Sequence, residues 1–148
     1  MIGYFDTSAV VSLVVAEPGS ARCAELWEAC DVRVSSLLVI PEAHAALAMA
    51  LRLGRLTAAQ HRAAVSLLGR RVDELDLAQP TRDIADSAAR LALSHALRGY
   101  DAVHAATALA LAGEDVVVVT ADRTLLAALA ELGLATADPT NPGPGLTG

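Results

Sequence analysis

Four acidic residues far apart in the chain, Asp6, Glu42, Asp101 and Asp122, have the side-chain type that holds hard divalent cations. Carboxylates gathered in one place repel, and they cannot all stay ionised without a cation between them. Oxygen ligands suit Mg²⁺ or Mn²⁺, ions that keep water and share phosphate oxygens. Such a site acidifies a bound water and clamps the attacking and leaving oxygens of a phosphodiester displacement. The chemistry indicated is metal-dependent hydrolysis of a nucleic acid or a phosphate ester. Metal-free cleavage needs a general acid and base pair, for which a chain with no lysine and 4 histidines is poorly equipped.

Two other readings compete. Asp6, Asp101 and Asp122 each stand at an expected helix start, where a carboxylate caps free backbone N–H groups, and on that reading the chain is a non-catalytic binding module. Glu42 fits this less well. It shares a helical face with Ala46, Met49 and Leu53, where an unpaired carboxylate is costly unless the first turn leaves it half exposed. The other reading is a phosphotransferase or receiver-like domain with Asp6 as phosphoryl acceptor, which would normally use a lysine for the phosphoryl charge.

Neighbouring residues extend the list. His104, three residues after Asp101 on the same helical side, could add a nitrogen ligand, but Mg²⁺ favours oxygen and a hydrogen-bonded helix residue is expected. His44 and His95 fall on apolar stripes and are read as core or interface residues. Arg98 and Arg123 flank Asp101 and Asp122, close enough to hold substrate phosphates or to position a carboxylate. Arg70 and Arg71 read as solvated helix-end charges.

The elements that must position these residues follow from the apolar pattern. Residues 2–5 form a short apolar run ending in Asp-Thr-Ser, and a helix is expected from there through Val15. A second helix fits 20–30 and a strand 32–35. Helices over 37–53 and from Thr57 to about Leu68 make a hairpin. A strand is expected at 72–77, then a helix over 81–97 closed by Gly99 and a buried helix over 101–112. Val116 to Val119, four β-branched residues in a row, reads as a central parallel strand. Asp122 opens a helix that Gly133 stops, and a weak strand at 134–136 follows. Strands alternating with helices imply an α/β fold, in which ligands sit outside the carboxyl ends of the strands. Asp6 and Asp122 fall on that rim.

Composition sets the outer limits. With 148 residues, 54% of them hydrophobic, the chain is one globular domain, expected over 1–137 with a disordered Pro/Gly-rich tail at 138–148. A net charge of -6 argues against a broad basic footprint on phosphates, and four aromatic residues are too few for base-stacking platforms. All 11 basic residues are arginine, which excludes Schiff-base chemistry and a P-loop lysine. Cys23 and Cys30, seven apart in a helical pattern, are ~10.5 Å apart along its axis, too far for a disulfide. Free thiols and no apolar run of about eighteen residues place the protein in the cytoplasm, away from membranes.

Four segments carry a family likeness: Phe5-Asp6-Thr7-Ser8-Ala9, Pro41-Glu42-Ala43, Tyr100-Asp101-Ala102-Val103-His104-Ala105-Ala106-Thr107-Ala108, and Val119-Thr120-Ala121-Asp122. In this order and spacing, nearly all of 1–136 resembles the PIN-domain family, and more narrowly its VapC-type toxins of bacterial toxin–antitoxin pairs. The resemblance implies an α/β/α sandwich with a mostly parallel sheet of four to five strands and helices on both faces. It implies a ribonuclease using one or two Mg²⁺ or Mn²⁺ ions, with Asp6, Glu42, Asp101 and Asp122 in the ligand roles. Thr7 or Ser8, together with Thr120, would orient carboxylates or waters. The strongly apolar 37–53 helix needs cover from the core or from a partner. The first helices and the 37–68 hairpin are therefore expected to supply a homodimer interface or the groove that grips an antitoxin, as the resemblance also suggests.

Overall fold

The computed structural model describes residues 1–111, 113 and 115–141. Five strands, β1 (Ile2–Phe5), β2 (Val32–Ser36), β3 (Asp76–Ala78), β4 (Val116–Val119) and β5 (Ala135–Ala137), form one sheet in the order β3-β2-β1-β4-β5. Every pair is parallel. Among the described residues the connections hold seven helices: α1 (Thr7–Ser12), α2 (Ser20–Ala29), α3 (Val39–Arg52), α4 (Ala58–Asp73), α5 (Arg82–His95), α6 (Gly99–Ala110) and α7 (Arg123–Glu131). Parallel crossovers are right-handed, so helices change face when the direction of travel across the sheet reverses. From β1 to β3 the chain moves one way and lays down α1 to α4. After β3 it turns back, and α5 to α7 cover the opposite face.

Side chains alternate along the buried strands and feed two separate cores. Tyr4 and Val118 pack with Leu91, Leu97, Leu125 and Leu129 under α5 to α7. Phe5 and Val119 pack with Trp27, Val39, Leu47 and Leu68 under α1 to α4. Burial on both faces explains why β4 has no polar residue. The reversal also places β1 and β4 side by side with their connections leaving on opposite faces. That junction opens a crevice at their carboxyl ends, the usual ligand position in such sheets.

Several boundaries differ from the sequence reading, for identifiable reasons. The strand expected at 72–77 is only Asp76–Ala78, because α4 runs through Gly69 to Asp73. Leu68, Val72 and Leu75 recur at helical spacing and pack into the Trp27 core, which overrides the β-branched start of that segment. Helix α5 closes at Ala96, which takes the left-handed conformation at φ 52°, and Gly99 instead opens α6. Helix α1 ends at Ser12, whose hydroxyl donates to Glu17 at 2.6 Å, and turns carry the chain to Val15. Gly133, at φ 77°, stops α7 as expected.

Trp27 is the largest fully buried side chain. Its ring lies 4.8 Å from Phe5 and is flanked by the guanidinium groups of Arg33 and Arg71 at 5.4 and 5.5 Å. Its Nε1 donates to Glu74. Arg71 is thus a lid on Trp27 rather than the solvated charge expected. Trp27→Ala should cost about 3–5 kcal/mol, because it removes the centre of one of the two cores. Urea unfolding would measure the loss, and a midpoint within error of wild type would refute this account of the core.

Cys23 and Cys30 are buried free thiols, and burial pushes Cys23 up to about 12. Of the expected tail, Asp138 to Asn141 form a turn in which Asp138 accepts from the Thr140 amide at 2.8 Å. The Pro139 carbonyl closes over Gly19, at φ 92°, where a Cβ would sit 2.9 Å from its oxygen. Residues 142–148 lie outside the described residues. No helix among the described residues is long and apolar enough to cross a membrane.

Candidate active site

Asp6 leaves β1 and caps α1. Its Oδ1 accepts from the Ala9 amide at 2.9 Å and from the Ser8 hydroxyl at 2.7 Å. Its Oδ2 accepts from the Thr120 hydroxyl at 2.6 Å. Ser8 also receives the Ala121 amide and Thr120 the Asp122 amide, each at 3.0 Å, so the loops after β1 and β4 are fastened together. Asp122 in turn caps α7 through the Leu125 amide at 2.9 Å. The capping anticipated for these two aspartates is present, and their carboxylates nevertheless line one cleft. Asp101 caps nothing. It lies in the first turn of α6, whose cap position is Arg98.

Glu42 comes from the first turn of α3, and a histidine fixes it. His104 Nε2 is 2.8 Å from Glu42 Oε1, and its Nδ1 is 2.8 Å from the Tyr4 hydroxyl. Thr7 Oγ1 is 3.2 Å from the same Nε2. Burial pushes the Tyr4 phenol far above its ordinary value, so it stays an O–H donor. A carboxylate only accepts, so the ring hydrogen on Nε2 is assigned to Glu42, and Nδ1 faces the Tyr4 hydroxyl. His104 is therefore the hydrogen-bonded helix residue expected, with its hydrogen bonds spent on orienting an acid. His104→Leu should cost about 1–3 kcal/mol by leaving the Tyr4 hydroxyl unpaired. Adding Tyr4→Phe should restore most of that loss, whereas additive losses in a urea double-mutant cycle would contradict the network.

A single cleft of about 830 Å³ is lined by Asp6, Glu42, Asp101 and Asp122, with Thr7, Ser8, His104 and Arg98 among its walls. The sequence reading missed Glu17 and Tyr100, which also line it. Glu17 arrives through the turn after α1, for which no spacing gives a signal. Tyr100 precedes Asp101 and is the one aromatic residue of the four that is exposed. Arg123 is not in the cleft. It is the first residue of α7, points away, and lines a second depression with His95 and Glu131. His95 bonds Glu131 at 3.0 Å. His44 is exposed, not core, because α3 packs through Ala43 and Leu47 instead.

The electrostatics are those of an acidic site short of positive charge. Asp6 is 3% exposed, and burial raises its pKa above the ordinary carboxylate value, against the hydrogen bonds from Thr120, Ala9 and Ser8. Among the described residues no ion pair reaches Asp6. Asp101 and Asp122 share Arg98, at 3.0 and 3.7 Å. As the side chains stand, no three acidic, His or Cys residues among those described form a cluster ready to hold an ion. The donor set still fits a hard divalent cation: all carboxylate oxygens, one cleft, and a buried Asp6 lacking a counter-charge.

Fold and cleft define an α/β protein with an acidic crevice at the switch point of a parallel sheet. Residues 3–132 match the PIN domain, and the chain belongs to the PIN-domain family. It is 41% identical over 128 residues to Ribonuclease VapC45 of Mycobacterium tuberculosis, covering 82% of this chain and 85% of that one. Among solved structures it is similar to PAE2754 from Pyrobaculum aerophilum, with a TM-score of 0.70, 26% identity and coverage of 94% and 92%. The same fold occurs in a toxin–antitoxin complex from Klebsiella pneumoniae, with a TM-score of 0.63, 18% identity and coverage of 93% and 97%.

Proposed function

We propose that the protein is a VapC-type endoribonuclease that uses Mg²⁺ or Mn²⁺ and acts as the toxin of a toxin–antitoxin pair in the cytoplasm. The observation that carries this reading is the convergence of four sequence-distant carboxylates on one crevice, with Asp6 buried there and, among the described residues, in no ion pair. The likeness to a protein named as a ribonuclease supports RNA as the phosphodiester. Asp6, Glu42, Asp101 and Asp122 would hold the ion. A divalent cation there supplies positive charge to the phosphoryl oxygens and acidifies a water.

The chain's own residues do the positioning. Ser8 and Thr120 keep both oxygens of Asp6 fixed, and His104 keeps Glu42 aimed into the cleft. In the hydrolysis, a water oxygen bonds to phosphorus, the bond to the 3′-oxygen breaks, and that oxygen takes a proton. The products carry 5′-phosphate and 3′-hydroxyl ends. Incubating the protein with total cellular RNA, with and without Mg²⁺, and sequencing the ends tests this. New termini should require both the ion and Asp6. Equal cleavage by Asp6→Asn overturns the assignment.

The partners follow from what α3 leaves uncovered. Met49 is 52% and Leu53 60% exposed, and Ala46 is also open to solvent on that face. This supports a homodimer through α3, and an antitoxin that reaches the acidic cleft with a basic side chain. Light scattering on the purified protein should give the mass of two chains, and a strict monomer would refute the dimer.

A further inference from the structure

The acidic cleft holds one guanidinium, that of Arg98. Its Nε lies 3.0 Å from Asp101 Oδ2 and its Nη2 3.7 Å from Asp122 Oδ2. The two carboxylates are mostly covered, with side chains 16% and 27% exposed, while the arginine side chain is 82% exposed. Arg98 therefore reaches across the cleft mouth from the solvent side and is not packed into the fold. It makes no capping bond to α6. Among the described residues, its guanidinium engages only these two acids.

We propose that Arg98 is an internal counter-ion that competes with the divalent cation for Asp101 and Asp122 and, once displaced, holds a phosphate of the RNA. The proposal rests on the ribonuclease reading above. Two neighbouring carboxylates repel, and a planar guanidinium can neutralise both. Arg98 thus engages two of the four acids, while Asp6 is held by Ser8 and Thr120 and Glu42 by His104. An arriving cation has to break both pairs. Pairs so open to water are weak, which makes the exchange easy. It also leaves an arginine on a solvent-exposed stem at the mouth of the cleft, where its fork matches a phosphodiester. Ion loading and substrate capture are thereby coupled through one side chain.

The signature is two effects of opposite sign from one substitution. Arg98→Gln removes the competitor and should tighten Mn²⁺ binding by roughly threefold to tenfold in titration calorimetry without RNA. With Mn²⁺ saturating, the same variant should raise the KM for a fluorescein-labelled oligoribonucleotide roughly tenfold. It should also reduce the slope of log affinity against log salt by about 0.7, the share of one phosphate contact on a single strand. Arg90→Gln, on the exposed side of α5, should change neither quantity. Unchanged or weaker Mn²⁺ binding by Arg98→Gln overturns the competition, and an unchanged KM overturns the phosphate role. A wild-type protein that neither binds Mn²⁺ nor cleaves RNA would instead bring down the ribonuclease reading itself.

Discussion

Asp6→Asn is expected to abolish RNA cleavage and, in the metal-free protein, to raise the melting temperature. The loss of activity should be on the order of a thousandfold or more, since a ligand to the ion contributes several kcal/mol of transition-state charge stabilisation and each 1.36 kcal/mol is tenfold in rate. The gain in stability follows from burial. Asp6 sits above its ordinary pKa in the native state, so folding favours its protonated form. Its favourable contribution is complete below the ordinary carboxyl range of about 4 and is lost as pH rises toward and through the raised native value. Asparagine carries no charge to desolvate. It keeps an oxygen for the Ala9 amide, so the cap survives.

Thermal scans of both proteins in EDTA between pH 4 and 8 would show the difference opening from acid to neutral pH. Asp31 titrates in the opposite sense, lowered by its hydrogen bond to the N-terminal ammonium, but it is common to both proteins and cancels in the comparison. A variant less stable than wild type at neutral pH in EDTA would mean that Asp6 is already well compensated without a cation.

Divalent ions should reverse that ranking. An ion that binds only the folded state adds about 2.7 kcal/mol at a hundred times its Kd, which for a domain of this size is a rise of roughly 5–10 °C in Tm. Mg²⁺ or Mn²⁺ should produce such a rise in wild-type protein, EDTA should remove it together with all cleavage, and Asp6→Asn should show little of it. Equal ion-dependent shifts in wild type and variant would place the ion away from the crevice.

The sequence is most informative where local and global demands agree. Val116 to Val119 is buried on both faces and reads as a central strand from composition alone. Asp6 and Asp122 sit at strand ends that any parallel sheet must place on one rim. Legibility fails where tertiary packing overrides propensity. Val72 belongs to a helix because its neighbours at helical spacing reach Trp27, and Ala96 takes a backbone conformation that usually signals glycine. At the site, all four acids could be named from the chain, but the structure shows what holds each. Nothing in the spacing of Tyr4, Glu42 and His104 indicates that they form a hydrogen-bonded chain, because that contact joins a strand and two helices from different parts of the fold. Arg123 fails for the converse reason: adjacency to Asp122 along the chain puts it on the next face of the helix turn, outside the cleft.

The bond from Thr120 to Asp6 joins positions 114 residues apart, and β1 has β4 as one of its two neighbours. Strand pairing across so much chain is slow to form, because the loop must close before any contact rewards it. A polypeptide still being translated presents Asp6 early yet has no crevice until the Val116–Val119 segment has left the ribosome and docked. Unfinished copies, and copies that a protease trims behind β3, lack half the rim. The topology itself delays completion of the crevice until synthesis is nearly done.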